Sequence, residues 1–173
     1  MEIKDNSLYF AKLRPEAIIP SKSDENAGYD IYACVNEDIV LRPFKTTLVP
    51  TGIAAAVSKD YYLQVQERGS TGSKGIKYGA GVIDSGYRGE IFIALTNTNT
   101  YPIKLTNSAE EYERIMSKRS DASASEAAYP LSKAIAQLIV HNVPKMDVKE
   151  VSYEELKNFE SERGDGALGS SNK

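Results

Sequence analysis

The sequence predicts an all-β fold of the barrel or jelly-roll kind, with a short helical insertion and a flexible C-terminal arm. Three observations carry this expectation. Short runs rich in Val, Ile, Thr, Tyr and Phe recur along the chain; Pro, Gly, Asn and Asp, the residues that close turns, separate them; and the exception, near residues 108–118, opens with a helix-start signal. A length of 173 residues suits a single domain with a real core.

Taken in order, the expected strands are residues 8–13, 38–41, 46–49, 53–57, 61–66, 90–96, 103–105, 135–143 and 148–151. Punctuation such as Pro43, Pro50 with Gly52, Asp60 and Asn97 falls between them, and no internal repeat is visible. Ser108-Ala-Glu-Glu111 reads as a capping box that opens a helix running to about Lys118. Residues 120–128 are Ser/Ala-rich and read as loop. From 160 to 173, three glycines and three serines leave little to bury, which predicts a mobile tail. The expected division is therefore a β domain over 1–160 and an arm over 161–173.

Composition excludes several classes of function. A net charge of −3 provides no basic field for nucleic acid, although a single nucleotide needs only a few local cations. With one cysteine, Cys34, and one histidine, His141, there is neither a disulfide framework nor a structural zinc set, and both residues read as packing groups in strands. No apolar run reaches membrane-spanning length and the first residues lack a signal-peptide profile, so a soluble cytoplasmic protein is expected.

Residues 79–91, Gly-Ala-Gly-Val-Ile-Asp-Ser-Gly-Tyr-Arg-Gly-Glu-Ile, look like a site. They put Asp84 and Tyr87 on a tight turn between the strand-like runs 61–66 and 91–95, with Gly81, Gly86 and Gly89 expected to supply positive φ angles and close backbone approach. Following Val82 and Ile83 directly, Asp84 is expected where apolar packing meets a ligand, as a base in a partly dry pocket; the competing reading is a turn aspartate with a capping role.

Four further segments accompany it: Pro-Ser-Lys-Ser-Asp-Glu-Asn-Ala-Gly-Tyr-Asp-Ile at 20–31, Arg-Gly-Ser-Thr-Gly at 68–72, Lys-Ala-Ile-Ala-Gln-Leu-Ile at 133–139 and Arg-Gly-Asp-Gly-Ala-Leu-Gly-Ser-Ser at 163–171. In order and approximate spacing the five resemble the motifs of the trimeric dUTPase family. That resemblance implies a jelly-roll-like subunit in a homotrimer with shared active sites, hydrolysing dUTP to dUMP and pyrophosphate. Magnesium is implied too, held by the triphosphate and waters rather than by protein ligands. By the same resemblance Asp84 orients and deprotonates the attacking water, Gln137 helps hold water and phosphates, and Asp30 supports that network. Tyr87 lies against the deoxyribose, and the backbone near Gly81 and Phe92 reads the uracil edge. Arg68, Gly69 and Ser70 match the phosphate-binding motif; Arg163, Gly164, Gly166, Leu168, Gly169 and Ser170 match an arm that covers the phosphates.

Three departures stand out. Gly69 occupies the place of the family's usual serine, with Ser70 one position later; Leu168 replaces a base-stacking phenylalanine; and residues 107–132 form an insertion, placed like the extra segments of some phage dUTPases. The insertion is expected to be dispensable for hydrolysis and is a possible site for a protein partner. Two other functions remain open: a dCTP deaminase of the same superfamily, whose catalytic glutamate position is Ala94 here, and a nucleotide-binding regulatory protein that acts through the insertion.

Overall fold

The computed structural model describes residues 3, 4, 6–120 and 125–165. Along the chain it runs β1 (Tyr9–Lys12), β2 (Tyr29–Ile31), β3 (Ile39–Leu41), β4 (Thr46–Pro50), β5 (Ile53–Ala56), β6 (Tyr61–Gln66), α1 (Gly69–Gly72), β7 (Ile76–Gly79), β8 (Val82–Ile83), β9 (Phe92–Asn97) and β10 (Ile103–Thr106). It continues through α2 (Ala109–Ser117), a 3-10 turn (Lys118–Ser120), β11 (Ala127–Pro130), β12 (Ala136–Asn142) and α3 (Tyr153–Lys157). Contacts divide it into two compact units, Met1–Val143 and Pro144–Lys173.

Every described strand lies in the first unit, in four small sheets ordered β1-β5, β11-β10-β3, β2-β12-β6-β8 and β4-β9-β7. The sequence Tyr-Tyr-Leu-Gln-Val-Gln makes β6 a half-buried strand because side chains alternate between faces: Leu63 and Val65 are 1% exposed, while Gln64 and Gln66 point outward. Opposite it, β12 sends Leu138 into the same core, where Ile31, Leu41, Val49, Ile53, Ile93 and Leu105 also meet. Burying each such side chain contributes about 1.5–3 kcal/mol.

The insertion is a crossover rather than an appendage. β10 and β11 pair in parallel, Ile103 opposite Ala127 and Leu105 opposite Tyr129, and a parallel pair needs a connection of roughly a dozen residues or more, usually helical. α2 supplies it. Ser108 Oγ accepts from Glu111 N at 3.1 Å, which is half of the expected capping box; the Glu111 carboxylate turns instead to Lys104 and Arg114, and Ile115 is 1% exposed. Residues 127–128, expected as loop, begin β11; Ala-Ala-Tyr-Pro has no alternation to betray a strand, and the free edge of β10 creates it.

Other expectations also change. Residues 148–151 form no strand, and Val148 is 91% exposed: β propensity without a partner edge makes nothing. The turn at 79–91 is not a hairpin between β6 and β9. β8 returns onto β6, with Ile83 opposite Leu63, while β9 pairs with β4 and β7, so the segment passes from one sheet to another. Within that segment positive φ falls on Ala80 (51°), not on Gly81, Gly86 or Gly89. Close approach does explain two of these: a Cβ on Gly81 would stand 3.1 Å from the Val65 carbonyl, and one on Gly89 2.5 Å from Tyr87 Oη. Cys34 is buried, but in a loop; His141 is in β12, stacked on Tyr62 at 5.1 Å.

In the second unit, α3 is closed by a reciprocal cap: Ser152 Oγ accepts from Glu155 N, and Ser152 N donates to Glu155 Oε2.

Candidate active site

Sheet register assembles the first half of the site. Gln137 of β12 lies opposite Asp30 of β2 on one side and Gln66 of β6 on the other, so period-two alternation places all three side chains on one face. Just beyond β6 the chain turns into α1, pinned where Arg68 N donates to the buried Thr71 Oγ1 at 3.2 Å. Arg68 therefore reaches back across the end of the sheet. Its Nε meets Asp30 Oδ1 at 2.8 Å and its Nη2 donates to Asp30 Oδ2 at 3.1 Å, a fork-to-fork pair. The Nη1 group donates to the Ala134 carbonyl at 3.2 Å and to Ser70 Oγ at 3.3 Å.

Gln137 is fixed as firmly. Its Nε2 donates to the Glu67 carbonyl at 2.7 Å, which turns Oε1 toward Gly28. A Cβ on Gly28 would stand 2.4 Å from Oε1 and 2.9 Å from Gln137 Cβ, so the glutamine fits only against glycine. These residues, with Asn26, Ala27 and Gly69, line a cleft of about 330 Å³. Gly69 opens into free space, with no atom within 4 Å of an added Cβ.

The second half is the loop from Asp84 to Ile91. Tyr87 N donates to the Asp84 carbonyl at 3.0 Å, making a turn, and Tyr87 Oη donates to the Glu90 carbonyl at 2.8 Å. Glu90 is gripped by Arg14 at 3.0 Å and by Gly52 N at 2.8 Å; Thr51 Oγ1 donates to the Ile91 carbonyl at 2.6 Å. The loop is thus rigidly anchored, yet it presents Asp84 and Tyr87 to solvent rather than to an apolar pocket.

Within one chain the halves do not meet. Gly81 hands its carbonyl to Val65 N at 2.7 Å near the cleft end of β6, but β8 then runs away from that end. By strand spacing and rise, Asp84 stands roughly 15 Å from Gln137. The Phe92 side chain lies elsewhere again, exposed in the β4-β9-β7 sheet with Pro50 as its register partner. Arg163 and Gly164 belong to the second unit, where Gly164 has a φ of 56° and donates to Ser161 Oγ at 3.0 Å; Gly166, Leu168, Gly169 and Ser170 lie outside the described residues. Sequence reading missed Gly28 and the carbonyls of Glu67 and Ala134. The first stood inside the quoted 20–31 segment; backbone acceptors leave no trace in residue types.

Among the described residues, no group of three or more His, Cys, Asp or Glu could hold a metal ion, and no helix is long and apolar enough to cross a membrane.

Comparison with known proteins bears on this arrangement. The dUTPase family model matches residues 14–115. The deoxyuridine 5'-triphosphate nucleotidohydrolase of Mycobacterium marinum is 33% identical over 171 residues, 96% of this chain and 95% of that protein. Its Candida albicans counterpart is 34% identical over 161 residues, 92% and 84% of the two chains. In the Leptospira interrogans enzyme, 38% identical over 94 residues, the match spans 52% of this chain and 65% of the relative's length. Solved structures agree in fold: the dUTPase of Staphylococcus bacteriophage 80alpha superposes with a TM-score of 0.71 at 23% identity, covering 96% of this chain and 98% of that one. The EIAV dUTPase gives 0.60 at 24% identity over 85% and 98%. Matched by the family model over more than half its length and by a relative nearly end to end, this jelly-roll-like chain belongs to the dUTPase family.

Proposed function

We propose that the chain hydrolyses dUTP to dUMP and pyrophosphate at a site completed between copies of itself. The convergence of Asp30, Arg68, Ser70 and Gln137 on one polar cleft carries the reading. Breaking the bond between α and β phosphates needs charge neutralisation, an aligned water and a base, with little covalent work for the protein. Arg68 is held by Asp30, the Ala134 carbonyl and Ser70, which leaves one N–H of Nη2, the guanidinium charge and the Ser70 hydroxyl to meet the phosphates, and Gln137 offers Oε1 to the attacking water. Asp84 of a neighbouring copy takes a proton from that water as its oxygen bonds to the α-phosphorus and the pyrophosphate oxygen leaves. Tyr87, beside it on the same rigid loop, closes against the deoxyribose and leaves no room for a 2′-hydroxyl.

The roughly 15 Å between Asp84 and Gln137 in one chain supports the shared site, and with it the homotrimer of the family resemblance. Magnesium fits as a companion of the substrate: the cleft offers a single carboxylate, Asp30, already engaged by Arg68, beside the amides of Asn26 and Gln137 and the Ser70 hydroxyl, which is not the donor set of an all-protein cage. When bound it supplies neutralisation of the triphosphate. The arm over 161–173 would cover the phosphates, and a cytoplasmic enzyme fits the reaction. Deamination is disfavoured because Ala94 is buried in β9 with no acid in its place.

The test is product analysis of purified protein with dUTP and dCTP. Equimolar dUMP and pyrophosphate from dUTP, nearly abolished by Asp84→Asn while substrate binding persists, is the expected result. Near-normal turnover in that variant would remove Asp84 from the mechanism.

A further inference from the structure

We propose that Tyr129, carried by the inserted crossover, is a positioning residue for Arg68. This rests on the reading of Arg68 as a phosphate-binding group. Tyr129 is 1% exposed on β11, set opposite Leu105 by the parallel register. Its Oη donates to the Ala134 carbonyl at 2.7 Å, and the same oxygen accepts from Arg68 Nη1 at 3.2 Å. A carbonyl has two lone pairs; here one serves the tyrosine and the other the arginine.

The peptide carrying that carbonyl is fixed from its other side as well. Ile135 N, in the same peptide plane, donates to the Ile31 carbonyl at 2.9 Å, one residue beyond the Asp30 that grips the guanidinium. Lys74, just past α1, places its ammonium 5.3 Å from the Tyr129 ring centroid. The tyrosine therefore touches the Arg68 segment through its hydroxyl, by way of Ala134, and through its ring.

Without the hydroxyl, the Ala134 peptide loses its buried donor, and Arg68 loses the fixed Nη1 acceptor that, beside the Asp30 pair, keeps its fork from tilting. A misaligned fork still attracts phosphate, so ground-state binding changes little. The alignment matters when charge shifts during bond breaking.

The experiment is a double-mutant cycle of Tyr129→Phe and Arg68→Lys, with kcat, KM and melting measured for all four proteins. Tyr129→Phe is expected to lower kcat by roughly tenfold with KM moved less than about twofold, and to add less than about twofold in the Arg68→Lys background. An unchanged kcat in Tyr129→Phe overturns the proposal. So does an equal loss in both backgrounds, which would mark a structural residue acting independently of Arg68, and so does loss of the fold in Tyr129→Phe. If Arg68→Lys alone leaves hydrolysis intact, what fails is the phosphate-binding reading of Arg68 itself.

Discussion

Gly28 and Gly69 border the same cleft, and their surroundings make opposite predictions. An added Cβ at Gly28 would overlap Gln137, so Gly28→Ala should displace the amide and lower hydrolysis by roughly a hundredfold, the scale of a 1 Å misplacement at a reacting centre. At Gly69 an added Cβ meets no atom within 4 Å, and Gly69→Ser replaces glycine in a helical turn, so it should fold normally and gain about 0.5 kcal/mol of stability. Steady-state rates and melting curves of the two variants check both statements; a Gly28→Ala protein with wild-type turnover would mean that Gln137 needs no fixed orientation. At this scale much was legible in residue types: Asp30, Arg68, Ser70 and Gln137 do share one cleft. What escaped the sequence was the means of holding them, because the Glu67 and Ala134 carbonyls belong to the backbone and Tyr129 looks like any core aromatic.

Elements show the same division between local and non-local causes. Local signals worked for α2, where Ser108 caps the helix, and for β6, where alternation is clear. They failed for β8 and β11, whose existence depends on the edges of β6 and β10, and for residues 148–151, which have no edge to join. The crossover belongs to the core, so Ile115→Ala should cost about 2–5 kcal/mol and lower the melting temperature by several degrees, contrary to a dispensable insertion. Its electrostatic anchor predicts a pH response. Hydrogen bonds from Arg114 and Lys104 hold the Glu111 carboxyl down to about 2, against an ordinary value of 4.5. A depressed carboxylate contributes fully above its unfolded pKa and loses that contribution as pH falls through the folded one. Amide-exchange protection of α2 should therefore hold to about pH 4.5 and decline toward pH 2. Glu111→Gln should be weaker at neutral pH and flatter over that window; an identical profile would show that the ion pairs do not anchor the helix.

For the molecule as a whole, one chain separates the cleft from the Asp84 loop, and both are tied to one sheet, to β6 through β12 on one side and β8 on the other. On the proposed reading, the site is complete only if copies exchange these halves. The direct measurement is dUTP hydrolysis by a co-expressed mixture of Asp84→Asn and Gln137→Ala chains, each nearly inactive alone. Random assembly should pair an intact cleft with an intact loop at about a quarter of the sites, restoring about a quarter of wild-type activity. Activity that stays at the level of the separate variants, in mixed oligomers of normal size, would contradict a site shared between copies.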